Sequence, residues 1–468
     1  MTALPAAMRC LLDSPLVAAA SWLDRPAVVG GERDWTWRQI HTASIDLADR
    51  LEGAALVGNL CNSRAGFLIG WLAALRGGCV QWLPASGGQA ELATMRTSGD
   101  GCRVLVDDEH SWLPQPKALQ AQGIVLDPAA EVVGRSDAEL AWSPDWHSPL
   151  VKLFTSGSTG TPEPQLKSLQ QLAMGALVLA GRLETAVDGG TAALGPIVCS
   201  VPPQHMFGLE ASVMLSLVVG MPVLDRRPLL PADVRAAIER SVQGAVWVAT
   251  PLHLRALVQA GDHVANCSAV IASTMPLSPA LAAQAEGLLG GPVLEIYGST
   301  ETGALAMRRT ACGAGWRALQ GVRIEATAQG SWAWGKHFRS PQALADTIAF
   351  DASGDFTLLG RHGDLVKIAG RRASLAGLNQ LLSDLPGLVD GVFYLPATGA
   401  PAERLVLIQA GAAPGRASTA AWLRERMDPV FLPRTIIQVD HLPRTASGKL
   451  PRAALDAVYS AWLADKAP

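Results

Sequence analysis

One run of small and hydroxyl-bearing residues has the composition of a phosphate-binding loop. It comprises Thr155, Ser156, Gly157, Ser158, Thr159 and Gly160, and it follows the apolar run 150–154. Glycines let such a loop approach an anion closely, and successive backbone N–H groups form an anion-binding nest. A flexible linker is the alternative, but a linker is not expected between a buried strand and the helix that the following residues predict. We therefore expect phosphate binding at 155–160.

A second run supplies an aromatic ring, a hydroxyl and a carboxylate after an apolar stretch. The apolar residues 293–297 lead into Tyr297, Gly298, Thr300 and Glu301. Tyr297 has a ring that can stack on a base, Thr300 has a hydroxyl for a phosphate oxygen, and Glu301 has a carboxylate for Mg²⁺. A tyrosine at a strand end is explained equally well by packing. This run therefore indicates a nucleotide site only in combination with the other candidate segments.

Three charged residues further along the chain complete a set that fits a nucleotide. A carboxylate such as that of Asp346 can hold ribose hydroxyls, and an arginine such as Arg361 suits a phosphate or a ribose edge. Lys449 ends a small-residue turn between the apolar Leu442 and Leu450, which could direct it into a cleft. Taken alone, a basic turn near the C-terminus is more often exposed to solvent.

The elements that must position these residues follow from the hydrophobic pattern. Short runs rich in Val, Ile and Leu predict strands buried on both faces, at 150–154, 197–201, 246–249, 270–272 and 293–297. Helices are predicted between them at 170–182, 232–241 and 251–259. Such alternation is typical of a doubly wound, mostly parallel α/β fold, whose ligands bind beyond the carboxyl ends of the strands.

The pattern changes near residue 361. An amphipathic segment follows at 375–385, with strands at 392–395, 404–409 and 435–439 and a helix at 420–427. They predict a separate α+β unit of about a hundred residues. We therefore expect a large N-terminal domain of doubly wound sheets at 1–361. A small, mobile lid domain at 362–468 would carry Lys449.

The overall composition excludes several classes of protein. With 49% hydrophobic and 17% charged residues among 468, the chain is typical of a packed globular protein. A formal net charge of −3 gives no electrostatic reason to expect nucleic acid as a partner. No apolar run approaches the roughly 18 residues of a membrane span. The seven dispersed cysteines are typical of free thiols in a reducing compartment, so we expect a cytoplasmic protein.

Four segments, taken together and in order, resemble the adenylate-forming superfamily of acyl-CoA synthetases, peptide-synthetase adenylation domains and luciferases. They are 155–162, 297–301, 360–372 and 442–452. Weaker similarity at 35–40, 71–78 and 202–208 extends the resemblance over nearly the whole chain. Several motifs in a fixed order make chance agreement negligible.

The resemblance implies an enzyme that uses ATP and Mg²⁺ to activate a carboxylic acid as acyl-AMP. The acyl group would then pass to a phosphopantetheine thiol. By motif matching, residues 155–160 hold the β- and γ-phosphates, Thr300 contacts the α-phosphate and Glu301 binds Mg²⁺. Lys449 would bridge the acyl carboxylate and the α-phosphate.

The same matching implies the ligands of the nucleoside. Ser273, Thr274 and Met275 occupy the segment before the adenine site, and Tyr297 and Gly298 lie beside adenine. Asp346 and Arg361 would hold the ribose. The lid would rotate about residues near Gly363 between the two half-reactions.

Departures from the family pattern indicate an atypical subgroup. Glu163 stands where a lysine is usual, so either the next lysine, Lys167, reaches back to the phosphates or the loop works without that charge. Residues 273–275 replace the common Gly-Gly-Ala, and Gly363 replaces the Asp or Lys of the hinge. The stretch 303–346 is short for the family, which predicts a trimmed β-subdomain.

The length and residues 203–210 look like ligases of aryl-polyene and xanthomonadin-type pigment pathways. Those enzymes load an aromatic acid such as a hydroxybenzoate onto an acyl carrier protein. His205, Phe207 and Gly208 would line the acid pocket. Glu210 or Ser212 would meet a ring hydroxyl there, and the alternative for Glu210 is that it faces solvent on a helix. The alternatives are a fatty acyl-CoA or aryl-CoA synthetase and a nucleotide-binding regulator without turnover; the intact Glu301 and Lys449 argue against the regulator.

Overall fold

The fold is described from a computed structural model of the chain. The described residues are 20–84, 101–107, 123–126, 134–140, 142, 144–155, 163–187, 189–327, 330–338, 340–361, 365–368, 371–382, 385–396, 404–411, 414–444 and 450–465. The strands up to residue 361 are β1 (Pro26–Val29), β2 (Trp35–Thr36), β3 (Leu56–Asn59), β4 (Val80–Leu83), β5 (Cys102–Val106), β6 (Gly123–Val125), β7 (Val151–Thr155), β8 (Glu163–Lys167), β9 (Ile197–Cys199), β10 (Val223–Leu224), β11 (Ala245–Ala249), β12 (Cys267–Ala272), β13 (Val293–Ser299), β14 (Gly303–Arg309), β15 (Arg317–Ala318), β16 (Arg323–Thr327), β17 (Gly330–Trp334), β18 (Gln342–Leu344), β19 (Asp346–Phe350) and β20 (Phe356–Arg361). The helices of this part are α1 (Ala20–Leu23), α2 (Trp37–Arg50), α3 (Arg64–Arg76), α4 (Asp137–Leu140), α5 (Leu169–Ala186), α6 (Met206–Gly208), α7 (Leu215–Val219), α8 (Pro231–Glu239), α9 (Pro251–Ala260) and α10 (Pro279–Leu289), with a π-helix (Leu209–Met214) between α6 and α7 and 3₁₀ turns at Thr191–Ala193 and Thr310–Cys312.

Two large, mostly parallel sheets dominate the described part of the chain. One has the strand order β15-β14-β13-β12-β11-β9-β10-β1-β2, with parallel pairing from β13 through to β1. The other has the order β6-β5-β3-β4-β7-β8 and is parallel except at β8. The predicted doubly wound α/β architecture is confirmed.

The predicted apolar runs form central strands because both of their faces are covered. All five residues of β11 are buried, and β9 is buried throughout. The helices α5 and α9 begin at residue types that are favoured at helix N-termini. Ser168 caps α5 by accepting a hydrogen bond from the Gln171 backbone N–H, and Pro251 occupies the first turn of α9.

One strand next to the phosphate-loop segment was not predicted. The helix predicted at 170–182 is confirmed as α5, but β8 precedes it and pairs antiparallel with β7, so that Thr155 lies opposite Glu163. Pro164 is compatible with β8 because this strand lies at the edge of its sheet, where a missing N–H is tolerated. The segment 156–162 therefore connects two paired strands.

The chain between 323 and 361 forms small antiparallel sheets. Strands β16, β17 and β18 make one sheet, and β19 pairs with β20 in another. A hydrophobic cluster that includes Trp316, Phe338 and Phe356 joins them to β14.

The C-terminal part has a core of its own. Its strands are β21 (Leu365–Ile368), β22 (Arg371–Ser374), β23 (Asp390–Tyr394), β24 (Val406–Ala410) and β25 (Thr435–Val439), and its helices are α11 (Leu375–Leu382), α12 (Arg416–Arg424) and α13 (Arg452–Asp465), with a 3₁₀ turn at Pro429–Phe431. The helix predicted at 420–427 lies at Arg416–Arg424, so it begins and ends earlier than predicted. The proposed boundary at 361/362 borders residues 362–364, which lie outside the described set, and it stays a prediction.

None of the helices in the described part combines the length and apolar character that a membrane crossing requires. Among the described cysteines, Cys61, Cys79, Cys102, Cys199 and Cys267 are buried free thiols, whereas Cys312 is exposed.

Candidate active site

Three residues predicted from separate motifs meet at one place. The Tyr297 hydroxyl donates a hydrogen bond to Asp346 Oδ2 at 2.9 Å. Asp346 lies opposite Arg361 in the β19–β20 ladder. The Tyr297 ring packs against Trp316 and Phe356, with centroid distances of 5.7 and 6.0 Å. The structure thus brings Tyr297, the predicted adenine ligand, into contact with Asp346, a predicted ribose ligand. Arg361, the other predicted ribose ligand, is the register partner of Asp346 in the neighbouring strand.

Thr300 and Glu301 lie in the tight turn between β13 and β14. Ser299 and Thr302 close this turn, because the Ser299 backbone N–H donates to Thr302 Oγ1 and the Thr302 N–H donates to Ser299 Oγ. Gly298 is required for a close approach: a Cβ there would lie 2.1 Å from the carbonyl oxygen of Gly303. The side chain of Thr300 is buried and that of Glu301 is half-buried.

The segment 273–275 begins at the carboxyl end of β12, beside β13. Ser273 Oγ donates to the Ile296 carbonyl at 3.1 Å. Thr274 has φ +83°, an unusual backbone conformation for a β-branched residue, and its buried hydroxyl has no hydrogen-bond partner among the described residues. Met275 is half-buried. The segment that departs from Gly-Gly-Ala therefore keeps, at Thr274, the left-handed backbone that glycine adopts easily.

Several predicted ligands lie outside the described residues. Ser156, Gly157, Ser158, Thr159, Gly160 and Lys449 belong to this group, and Thr155 and Arg361 are described by their strand positions. Their roles stay predictions. Arg444, just before the segment of Lys449, forms an ion pair with Asp390, with Nη2–Oδ1 at 2.7 Å. The Arg255 guanidinium of α9 donates to the neighbouring Val389 carbonyl at 2.7 Å, which joins the N-terminal part to the C-terminal part.

The predicted acid-pocket residues lie on one helical segment. His205 caps α6 by accepting a hydrogen bond from the Phe207 N–H at 3.3 Å, and Phe207 and Gly208 are buried. Glu210 follows in the π-helix. The alternative in which Glu210 faces solvent is wrong, since the residue is only 4% exposed. Its Oε2 accepts a hydrogen bond from the Ala304 N–H at 3.0 Å, and its Oε1 is buried with no hydrogen-bond partner in the described part of the chain.

Lys167 is buried beside the same turn. Its Nζ donates to the backbone carbonyl of Glu301. Burial lowers the pKa of Lys167 to about 8, against the opposing attraction of Glu210 and Glu301. Burial also raises the pKa of Glu210 to about 7, opposed by the Ala304 N–H and by Lys167. The sequence singled out Lys167 as a possible phosphate ligand and did not predict its contact with the Glu301 turn.

His337 also contacts the turn, and sequence reasoning missed it. Its Nε2 donates to the Ala304 carbonyl at 3.0 Å. Burial lowers the pKa of His337 to about 4, so the ring is neutral at neutral pH. No local motif marks this residue, because its role depends on how β14 packs against the 330–338 segment.

The fold and site geometry can be compared with known proteins. A 2-succinylbenzoate–CoA ligase of Geobacillus kaustophilus is 24% identical over 395 residues, which cover 76% of this chain and 78% of the relative. A 4-coumarate–CoA ligase of Cereibacter sphaeroides is 24% identical over 307 residues, covering 63% of this chain and 69% of the relative. An O-succinylbenzoate coenzyme A synthetase of Bacillus subtilis, solved with AMP, matches with a TM-score of 0.77 at 18% identity over 94% of this chain and 97% of that one.

The family comparison covers most of the N-terminal part. The model of the AMP-binding enzyme family matches residues 17–326, and this range contains the β13–β14 turn with Thr300 and Glu301. The chain therefore belongs to the AMP-binding enzyme family, and the prediction of an adenylate-forming enzyme is confirmed.

Proposed function

We propose that the chain activates an aromatic carboxylic acid of the hydroxybenzoate kind and transfers it to the phosphopantetheine thiol of an acyl carrier protein. The observation that carries the ATP-dependent activation step is the hydrogen bond between Tyr297 and Asp346, with Arg361 opposite Asp346 in its ladder. This arrangement suits a nucleoside, because it combines an aromatic face with a carboxylate for the ribose hydroxyls.

ATP and Mg²⁺ are the cofactors, and the residues present fit them. The carboxylate of Glu301 is an oxygen ligand of the type that Mg²⁺ prefers, and Mg²⁺ commonly takes its other ligands from phosphates and water. Thr300 lies in the same turn, with a hydroxyl suited to a phosphate oxygen. Residues 155–160 would receive the β- and γ-phosphates through backbone N–H groups.

The chemistry consists of two displacements. In the first, a carboxylate oxygen of the acid forms a bond to the α-phosphorus of ATP while the bond to the pyrophosphate oxygen breaks. In the second, a thiolate sulfur attacks the acyl carbonyl carbon, and AMP leaves. The protein contributes positioning and charge stabilisation. Lys449 neutralises charge on the α-phosphate in the first step, and rotation of a lid at 362–468 withdraws it for the second.

The acid pocket is proposed on α6. Half-buried His205 and buried Phe207 offer two rings that can flank an aromatic acid. The two ligase relatives act, by name, on 4-coumarate and 2-succinylbenzoate, which also supports an aryl acid. Because both transfer to CoA by name, CoA is the second candidate acceptor.

Two assays test the proposal. ATP–pyrophosphate exchange is measured with benzoates, hydroxybenzoates and fatty acids, and we expect the highest kcat/KM with a hydroxybenzoate. Preference for long alkyl chains would overturn the aromatic assignment, and exchange with none of the acids would overturn the proposed function. Thioester formation with CoA and with a holo carrier protein then identifies the acceptor.

A further inference from the structure

Side chains from two separate elements form hydrogen bonds with the backbone at the ends of the turn that carries Thr300 and Glu301. Lys167, at the end of β8, donates to the Glu301 carbonyl. Glu210, in the π-helix, accepts from the Ala304 N–H at 3.0 Å. The backbone groups on both sides of Thr302 and Gly303 are thus bound by ionisable side chains that come from distant parts of the chain.

These two side chains are buried and opposite in charge. Lys167 and Glu210 are each 4% exposed. Isolated buried charges are strongly unfavourable, whereas a buried cation and anion stabilise each other's charged form. The two groups bind opposite ends of the turn, Lys167 at the Glu301 carbonyl and Glu210 at the Ala304 N–H.

The surrounding backbone is built to admit the Glu210 carboxylate. A Cβ on Gly175 of α5 would lie 2.0 Å from Glu210 Oε1, and a Cβ on Gly303 would lie 2.8 Å from it. The carboxylate therefore occupies space that only glycines leave open. Glu210 belongs to a π-helix, a rare helical form that is frequent at functional sites.

We infer that Lys167 and Glu210 are positioning residues that fix the Thr300–Glu301 turn for binding MgATP. This inference rests on the proposed function and deepens it at the metal ligand. Lys167 immobilises the backbone of Glu301 itself, and Glu210 fixes the other end of the turn at Ala304. Loss of either charge should let the Glu301 carboxylate leave the geometry that Mg²⁺ demands, since Mg²⁺ tolerates little deviation from octahedral coordination.

The test uses charge-removing variants with conservative partners in the full chain. Lys167→Met and Glu210→Gln remove one charge each, Lys167→Arg keeps the cation, and Lys167→Met with Glu210→Gln removes both. The control is Lys152→Met on β7, a half-buried lysine whose Nζ lies 4.5 Å from the Trp82 ring centroid. Calorimetric ATP affinity is measured with Mg²⁺ and with EDTA, beside exchange kinetics as a function of Mg²⁺ and of acid.

We expect Lys167→Met and Glu210→Gln to raise the half-saturating Mg²⁺ concentration at least tenfold and to reduce the gain in ATP affinity that Mg²⁺ confers. The KM for the acid should stay within twofold of wild type. Lys167→Arg should restore most of the Mg²⁺ response, and Lys152→Met should match wild type. A single variant that does not fold is replaced by the double variant, which leaves no buried charge unpaired and should show the same weakened Mg²⁺ response.

Three outcomes would overturn the inference. Wild-type Mg²⁺ dependence in the variants would show that the pair does not act on the metal ligand. A raised KM for the acid in Glu210→Gln, with unchanged Mg²⁺ dependence, would make Glu210 an acid-pocket residue. Equal losses in every parameter in variants that remain folded, Lys167→Arg included, would show that the two residues do not act selectively on Mg²⁺ binding. If wild type shows no exchange, the proposed function fails, while the calorimetric comparison still decides whether the pair supports Mg²⁺-dependent ATP binding.

Discussion

Thr274 is the residue at which local strain and the candidate adenine segment coincide. Its φ of +83° is costly for a β-branched side chain, and its buried hydroxyl finds no hydrogen-bond partner within the residues that the structure describes. Thr274→Gly should therefore stabilise the protein by about 1 kcal/mol, because relief of strain and of the unpaired hydroxyl exceeds the entropy cost of glycine. The measurement is the free energy of unfolding in urea.

Asn266→Gly is the matched control for this change. Asn266 has φ +66°, but asparagine tolerates this conformation better than threonine does, so the gain should be smaller. A loss of stability in Thr274→Gly greater than that in Asn266→Gly would show that the threonine side chain contributes contacts that outweigh its strain.

Lys449 is the residue on which the proposed chemistry depends most. Replacing it with alanine should reduce ATP–pyrophosphate exchange by orders of magnitude, since the cation that stabilises charge in the first displacement is removed. Thioester formation from preformed acyl-AMP should survive. Equal loss of both half-reactions would contradict a lid that withdraws Lys449 before thiol attack.

At the scale of elements, strand β23 is joined by an ion pair to Arg444, which precedes the segment of Lys449. Asp390 at its start pairs with Arg444, and these side chains are only 12% and 14% exposed. Asp390→Ala should destabilise the protein by roughly 3 kcal/mol, because it removes a carboxylate that is ion-paired with a largely buried guanidinium. Urea unfolding measures the change.

Asp262→Ala is the matched control for Asp390→Ala. Asp262 pairs with Arg235 at 2.9 Å, but these side chains are 53% and 41% exposed. An exposed ion pair contributes less than about 1 kcal/mol, so this variant should unfold nearly as wild type does. Equal effects of the two substitutions would refute the dependence on burial.

Which elements could be predicted follows from how local their signals are. The run 246–249 is apolar throughout and lies within β11, which is buried along its whole length. The burial of Glu210 could not be predicted from the sequence. Every residue of the π-helix is buried, so polar residues do not mark an exposed face of this helix. The contact of Lys167 with Glu301 spans 134 residues and exists only once β8 and the β13–β14 turn have come together.

At the scale of the whole molecule, buried neutral histidines make folding sensitive to acid. His41 of α2 is fully buried, and its Nδ1 accepts a hydrogen bond from Arg76 at 3.1 Å. Burial, reinforced by the positive charge of Arg76, lowers the pKa of His41 to about 3. Burial likewise lowers the pKa of His253 to about 4. These rings stay neutral in the folded protein under conditions where the unfolded chain takes up protons.

The sign of the pH dependence follows from these lowered values. Above the unfolded pKa of about 6.5 neither state is protonated, so the stability is fully present. As the pH falls below 6.5, the unfolded chain gains protons that the folded protein excludes, and stability is lost down to the folded pKa. At pH 5 the loss from His41 alone is about 2 kcal/mol.

His41→Gln tests this at the level of global unfolding. A glutamine oxygen can still accept the hydrogen bond from Arg76, but the side chain no longer titrates. The difference in unfolding free energy between pH 8 and pH 5 should therefore shrink by about 2 kcal/mol relative to wild type. Between pH 7 and pH 8 the two proteins should respond in parallel, because His41 is neutral in both states there. An unchanged difference between pH 8 and pH 5 would mean that His41 becomes protonated inside the folded protein, which its contact with Arg76 makes unfavourable.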